Sequence, residues 1–165
     1  MENLRKTMRR EYVLTHMGHI ATWVLGGILV FMLLPVIGFY RVRGDGMEPN
    51  LKAGNMIAVS NIAYRARDPK RGDVVITDGK LFRVIGLPGE VLTIRGGRLF
   101  LDGNLVKEPY LPETSLTWPN GERDTFVLGK NDYFLLSDNR SFYDDSRAGV
   151  LYHKEDIGSK VIFFL

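Results

Sequence analysis

The sequence predicts a mostly β domain of antiparallel strands that follows a single N-terminal transmembrane helix. No Asp, Glu, Lys or Arg occurs between Tyr12 and Tyr40, so this stretch is apolar enough for a membrane span. After Arg41, short β-branched or aromatic runs alternate with Gly-Gly and Asp-Gly pairs, which are typical of tight hairpins. The expected strands are Met56–Ser60, Val74–Ile76, Leu81–Leu87, Val91–Ile94, Leu99–Leu101, Thr125–Leu128, Tyr133–Leu136 and Lys160–Phe164.

The membrane span is expected to be a signal anchor. Residues 1–11 carry four basic side chains against two acidic ones, and basic residues before a first span keep the N-terminus in the cytoplasm. A cleavable signal peptide is the alternative, but the apolar run ends without the small residues of a cleavage site. We therefore expect a basic cytoplasmic segment over residues 1–16, a transmembrane signal anchor over 17–40, and a β ectodomain over 41–165 on the outer side of the cell membrane.

Composition argues against several classes of function. Outside residues 1–11 the chain is nearly neutral, so it lacks the basic face of a nucleic-acid-binding protein. The absence of cysteine excludes disulfide bonds, thiolate metal sites and a cysteine nucleophile. His16 and His19 lie one helical turn apart, but two ligands without a third favour anchoring at the membrane interface over metal binding. We expect no metal, no cofactor and no nucleic acid, with membrane lipid as one partner.

Four short motifs follow the span in a fixed order: Gly44–Leu51, Arg71–Val75, Phe82–Glu90 and Ser137–Arg147. Together with the span, this series resembles the conserved boxes of the type I signal peptidase family of serine/lysine peptidases, in its Gram-positive form. The match covers most of residues 20–165. The resemblance implies a β-rich ectodomain on the outer membrane surface, with a cleft that receives an extended signal-peptide segment.

The sequence departs from this family at the catalytic positions. In the family, a serine before Met-x-Pro is the nucleophile, a lysine in the third box is its general base, and a serine in the last box holds that lysine. Gly46, Phe82 and Tyr143 stand at these positions. A serine hydroxyl is a weak nucleophile without an adjacent base, and glycine has no side chain to acylate. No Ser, Thr or Cys occurs in residues 41–58, so a shifted alignment supplies no nucleophile. We expect no catalytic residue here, with Phe82 and Tyr143 filling the space of the missing lysine.

The remaining residues of the boxes are expected to be structural. Arg83 and Asp145 belong to a charge network that the resemblance places at the floor of the cleft. Asp144 beside Asp145 allows a paired-carboxylate acid site, but adjacent strand residues point to opposite faces, which favours a solvated Asp144 next to a structural Asp145. The expected structural residues are Met47, Pro49, Arg83, Asp138, Asn139, Arg140, Asp145, Ser146 and Arg147.

The resemblance also implies the residues that line the cleft. Lys80 and Phe82 project from the same face of a strand, so the Lys80 ammonium is expected either near the empty base position or, as we favour, in solvent after the Asp78-Gly79 turn. The expected edges of the cleft are Val42–Gly44 and Lys80–Arg83. The expected cleft residues are Val42, Arg43, Gly44, Asp45, Lys80, Leu81 and Phe82.

Three functional hypotheses follow. The first is a non-catalytic chaperone or assembly factor, similar to the signal-peptidase-like proteins of pilus assembly, which binds a secreted or pilus-type client as an added strand. The second is an active type I signal peptidase that processes signal peptides with an unrecognised nucleophile, or one whose active residues have been mutated. The third is a membrane-anchored scaffold for a sortase or translocase with no ligand in the cleft.

Overall fold

A computed structural model of the chain describes residues 16–28 and 36–164. Residues 16–28 form a helix, and within the described ranges no helix combines the length and the apolar character needed to cross a membrane. The predicted signal anchor also includes residues 29–35, and the basic segment lies before it. Residues 1–15 and 29–35 both lie outside the described residues. The anchor therefore stays a prediction. The chain divides into two compact units between Ile37 and Gly38.

The end of the predicted span is a strand. Ile37–Arg41 forms β1. We expected a helix over residues 37–40, and this expectation was wrong. An apolar run alone does not distinguish a helix from a strand, and aromatic and β-branched residues favour strands. Gly38 lies close to the neighbouring strand, because a Cβ there would approach Val59 Cγ2 and Asn61 Nδ2 to 3.2 Å. A helical span would have to end before Ile37.

Within residues 36–164, ten further strands follow β1, and the mostly β prediction is confirmed. The eight expected strands are present, and each of their ends lies within one residue of the predicted end. From β2 onward the strand pairs are antiparallel. The strands are β2 Met56–Ser60, β3 Val74–Thr77, β4 Lys80–Gly86, β5 Val91–Arg95, β6 Arg98–Leu101, β7 Asn104–Leu105, β8 Thr125–Val127, β9 Asp132–Leu136, β10 Tyr152–His153 and β11 Ser159–Phe164.

The described strands form two sheets. The first sheet has the order β1-β2-β11-β3-β4-β9-β10, and the second has the order β7-β6-β5-β8. Three tight turns connect neighbouring strands at Asp78-Gly79, Gly96-Gly97 and Asp102-Gly103. Both residues of each turn have positive φ, which is the type I′ geometry that Asp-Gly and Gly-Gly pairs favour. These pairs therefore set the register of the β3-β4, β5-β6 and β6-β7 hairpins.

Hydrophobic clusters cover both faces of β4 and fix the directions of its side chains. Leu81 packs with Met47 and Leu51 in one buried cluster, whereas Phe82 packs with Val75 and Tyr133 in another. Successive side chains of a strand point to opposite faces, which accounts for this separation. A third cluster joins the second sheet to β4 and β9. The start of β4 therefore has one buried side chain on each face, at the two positions that matter most for the site.

The close packing of Gly86 gives a test of the fold. A Cβ at Gly86 would lie 2.5 Å from Leu128 Cδ1 and 2.8 Å from Phe134 Cβ, so Gly86→Ala overpacks the third cluster. We expect a loss of about 1–3 kcal/mol of unfolding free energy. Gly46→Ala is the matched control, because its Cβ meets no atom closer than 3.6 Å. Thermal unfolding in detergent, monitored by circular dichroism, should show a lower midpoint temperature for Gly86→Ala only. Equal midpoints for the two variants would contradict this packing.

Candidate functional site

A mostly apolar cleft lies between the first box, the start of β4 and the segment after β9. Its volume is about 300 Å³. Six of the seven expected cleft residues line it, namely Val42, Arg43, Gly44, Lys80, Leu81 and Phe82. Asp45 is exposed and is not part of the lining, although its carbonyl accepts a hydrogen bond from Asn139 Nδ2 at 3.2 Å. Gly46, Met47, Ser137, Phe142 and Asp144 complete the cleft.

Gly46 lies at the point where the family resemblance expects a nucleophile. Its backbone φ is outside the left-handed region, and an added Cβ would lie 3.6 Å from Ser137 Oγ and 3.8 Å from Phe142 Cδ1. These are ordinary van der Waals distances. The Gly46 carbonyl accepts the Asn139 N–H at 2.9 Å, which joins the first box to the last. Neither the backbone nor the packing therefore requires glycine here, and the position has room for a side chain that is missing.

Phe82 lies at the position where the resemblance expects the base. Its side chain is buried, and its ring centroid is 5.8 Å from that of Tyr152. Lys80 also lines the cleft, but its Nζ lies 2.5 Å from Asp144 Oδ2, and the two side chains are 56% and 64% exposed. Among the lining residues, the only ammonium is therefore held by a carboxylate at the solvent-exposed mouth. An exposed pair of this kind contributes little to stability.

Tyr143 does not fill the space of the missing lysine, in contrast to our expectation. Its ring lies against the Arg147 guanidinium, with Arg147 Cζ 4.4 Å from the ring centroid, and it does not line the cleft. The neighbouring Phe142 lines the cleft instead, because the chain turns there: the Phe142 N–H donates to the Asn139 carbonyl at 2.9 Å. A one-residue change of position in a turn reverses the direction of a side chain, which sequence spacing alone does not reveal.

Ser137 is a cleft residue that the sequence analysis did not select. Ser137 is almost fully buried and still contributes to the lining of the cleft. Its hydroxyl forms no hydrogen bond with any other described residue. The only sequence signal was its place at the start of the last box. The cleft therefore contains one hydroxyl group beside Gly46 that is available to a ligand.

Two buried ion pairs hold the walls of the cleft. Arg83 donates to Asp138 through Nε at 2.7 Å and Nη2 at 2.5 Å, and Asn50 Nδ2 donates to the same carboxylate at 2.8 Å. Arg147 binds Asp145 with two bonds of 2.8 Å, and both side chains are fully buried. Bidentate arginine–carboxylate bonds are strong and directional. The first pair connects the first box, β4 and the last box, and the second pair lies within the last box.

The other expected structural residues surround these pairs. The Leu135 N–H donates to Ser146 Oγ at 3.0 Å, which attaches the last box to β9. Arg140 is buried and donates to Glu108 and Thr117, which belong to the loop after β7. Pro49 is exposed and follows a cis peptide bond, outside the cleft.

The loop after β7 contributes residues that the sequence analysis missed. Tyr110 donates its hydroxyl to Glu108 Oε1 at 2.6 Å, and its ring stacks on Arg83, with Arg83 Cζ 4.0 Å from the ring centroid. Burial, reinforced by the Glu108 carboxylate, raises the pKa of Tyr110 above its ordinary value, so the hydroxyl remains a donor at neutral pH. The loop therefore supports the arginine that follows Phe82.

The start of β4 offers a free strand edge to the cleft. β4 is an interior strand, and its pairing with β9 begins at Arg83 opposite Leu136. The Val84 N–H donates to Asp73 on the β3 side, so alternation directs the Leu81 N–H and carbonyl to the other side, where β9 has ended. At the other expected edge, Val42–Gly44, the Val42 N–H already donates to the Asn55 carbonyl, and the Val42 carbonyl accepts the Gly54 N–H.

The buried pair and the exposed pair at adjacent aspartates provide a matched test. Asp145→Asn leaves the Arg147 guanidinium buried without its carboxylate, which is expected to cost about 3–5 kcal/mol of unfolding free energy. Asp144→Asn breaks only the exposed pair with Lys80 and should cost less than about 1 kcal/mol. Thermal unfolding of both variants in detergent checks the difference. Similar midpoints for the two variants would contradict the structural role of Asp145.

Comparisons with known proteins identify a family for this chain. The model of the family described as signal peptidase, peptidase S26, matches residues 14–165. Signal peptidase IB of Staphylococcus aureus strain Mu50 is 30% identical over 165 residues, which is 86% of each chain. Signal peptidase I P of Bacillus subtilis subsp. natto is 32% identical over 171 residues, covering 91% of this chain and 90% of that protein.

Among solved structures, the chain is similar to a signal peptidase I from Enterococcus faecalis V583. The sequence identity is 27%, the TM-score is 0.48, and the match covers 59% of this chain and 98% of the other. The matches to the family model and to the curated relatives extend over most of the sequence. This chain therefore belongs to the signal peptidase family, peptidase S26.

Proposed function

We propose that this chain is a non-catalytic member of the signal peptidase family that binds an extended segment of a secreted protein in its cleft. The observation that carries the proposal is Gly46 in the lining of a formed cleft. The space for a side chain exists beside Ser137 and Phe142, but the residue that occupies the nucleophile position has none. The cleft can therefore still bind a peptide, although position 46 has no nucleophilic side chain to attack it.

The missing nucleophile and the missing base are expected to abolish peptidase chemistry. Removing the nucleophile of a serine peptidase costs roughly a millionfold in rate. Phe82 has no proton acceptor to offer in place of a lysine. Lys80 is bonded to Asp144 at the exposed mouth of the cleft. A lysine that is held by a carboxylate at the solvent-exposed mouth is poorly placed to take a proton inside the cleft, so Lys80 is a poor general base.

The cleft suits a polypeptide in extended conformation. Leu81 directs its N–H and carbonyl towards the side of β4 where β9 has ended, so an added strand can bond to both groups. Apolar side chains of the cleft, such as Met47 and Phe142, then bury alternate side chains of the ligand. Main-chain bonds supply affinity of a general kind, whereas the pocket supplies selectivity.

The apolar run and the basic N-terminal segment support a place for this activity at the cell membrane. With a signal anchor over residues 17–40 and the N-terminus in the cytoplasm, the ectodomain lies outside, where secreted polypeptides emerge. A secreted or pilus-type protein is accordingly the proposed client. A scaffold that holds a sortase or translocase is the alternative that leaves the cleft empty.

Ser137 supports a second candidate function, an active peptidase with a displaced nucleophile. Its hydroxyl is 3.6 Å from the position of a Cβ at Gly46 and has no hydrogen-bond partner among the described residues. Lys80 is the only lysine of the cleft lining that could act as its base. The salt bridge of Lys80 with Asp144 weighs against this candidate, since it places the ammonium at the exposed mouth.

A turnover assay separates these two functions. We expect the purified full-length protein in detergent to leave a signal-peptide substrate intact, because no activated nucleophile is present. Mass spectrometry of the substrate provides the measurement. Ser137→Ala tests the displaced nucleophile, and Ser141→Ala, an exposed serine in the same box, is the matched control. Cleavage that is lost in Ser137→Ala and kept in Ser141→Ala would establish the peptidase and refute the binding protein.

Cross-linking in cells separates the binding protein from the scaffold. Val42 and Leu81 are buried, so photoreactive residues belong at the exposed Arg43 and Lys80 at the cleft mouth. Arg98, exposed on the second sheet, is the matched control position. We expect cross-links from the mouth positions alone, to chains that peptide mass fingerprinting identifies as secreted proteins. Equal labelling from Arg98, or no labelling at the mouth, would favour the scaffold.

A further inference from the structure

The absence of a side chain at Gly46 enlarges the part of the cleft where a bound segment would pass. Because an alanine Cβ would fit there at 3.6–4.0 Å from its neighbours, the glycine leaves that volume open without any steric need to do so. The Phe142 ring lies against this volume, with its Cδ1 3.8 Å from the same point. A family member with a serine at this position would have less room for a ligand side chain.

The size and surface of the cleft suit a large apolar side chain. An apolar cavity of about 150 Å³ already admits a benzene ring. The cleft is about 300 Å³ and is walled by Val42, Met47, Leu81, Phe82 and Phe142. A small side chain such as alanine would leave most of this apolar surface in contact with water, whereas a leucine- or phenylalanine-sized group would bury it.

The polar groups of the cleft are few and suit a peptide main chain. The Ser137 hydroxyl has no bonding partner among the described residues, and the Leu81 N–H and carbonyl face the same opening. Peptide N–H and carbonyl groups satisfy all three when a segment lies beside β4. The interior of the cleft offers no counter-charge to a charged side chain, because its one ammonium is bonded to Asp144 at the mouth.

One charge at the mouth lacks a partner. Arg43 lines the cleft, is exposed, and forms no ion pair with any described residue. Lys80 and Asp144, which share the mouth, neutralise each other. The mouth therefore carries a net positive charge at Arg43, and charge complementarity favours a carboxylate on the segment that enters there.

We infer that the cleft selects an extended segment of a secreted protein with one bulky apolar side chain as its anchor and an acidic residue two positions away, on the same face of the segment. The bulky residue fills the space beside Gly46, and the acidic residue meets Arg43. This inference rests on the proposed function, because it specifies the ligand of the same cleft. It adds that a segment with a small residue at the anchor position binds with low affinity.

Binding of labelled peptides to the full-length protein in lipid nanodiscs tests the inference. The probes are blocked, fluorescent octapeptides that differ only at two positions: phenylalanine or alanine at the anchor, and glutamate or glutamine two residues away. Fluorescence anisotropy gives the Kd values. We expect the phenylalanine peptide to bind at least roughly tenfold more tightly than the alanine peptide. Glutamate should improve binding by about threefold over glutamine at low salt.

Two variants with matched controls assign these effects to the cleft. Gly46→Leu fills the open volume and should bring the phenylalanine peptide to the affinity of the alanine peptide, whereas Lys130→Leu, at an exposed site outside the cleft, should not. Arg43→Gln should remove the preference for glutamate, and Arg98→Gln should keep it. Thermal unfolding confirms that each variant is folded.

The outcomes distinguish the two proposals. If the alanine peptide binds as tightly as the phenylalanine peptide, the cleft binds peptides but the bulky anchor is wrong. If Arg43→Gln keeps the preference for glutamate, the proposed contact between Arg43 and the acidic residue of the peptide is wrong. If no peptide binds and the cleft mouth captures no secreted protein, the proposed function fails together with this inference.

Discussion

The bidentate bond between Arg83 and Asp138 is the interaction on which the cleft depends. Arg83 belongs to β4, Asp138 follows β9, and Asn50 from the first box donates to the same carboxylate. The Asp138 side chain is fully buried, so its charge would be costly without these donors. One carboxylate thereby holds together the three segments that form the walls. Their relative positions are maintained by side chains other than those at positions 46, 82 and 143, which supports the proposed non-catalytic function.

Burial favours the residue that occupies the base position. Phe82 packs with Val75, Val84 and Tyr133, and burying a side chain of this size contributes about 1.5–3 kcal/mol. A lysine there would place an ammonium group against the same apolar neighbours, at a cost in desolvation that only a catalytic role would justify. Gly46 follows a different logic, since no contact or backbone angle demands it. Stability therefore explains Phe82, whereas the proposed ligand explains Gly46.

The parts of the structure that local chemistry determines could be predicted from the sequence. Asp78-Gly79 and Asp102-Gly103 set hairpins because few other pairs accept two positive φ angles. β10, only two residues long at Tyr152–His153, exists because β9 pairs with it, and no local signal marks it. The order of the boxes brought Gly46 and Phe82 into the lining of one cleft, but it could not distinguish Phe142 from Tyr143. The direction of a side chain in a turn depends on contacts such as that of Tyr143 with Arg147, which arise only in the folded chain.

The proposed function requires that a peptide adds to β4 as a strand in the cleft and is released without cleavage. Amide hydrogen exchange of the full-length protein, with and without saturating peptide, tests it most directly when the mass of the peptide is recorded from the same sample. The account predicts slower exchange at the Leu81 amide, which the ladder directs towards the cleft, with no change at Phe100 on the second sheet and no change in peptide mass. Unchanged exchange at Leu81 under saturation, or a shortened peptide, would contradict the account.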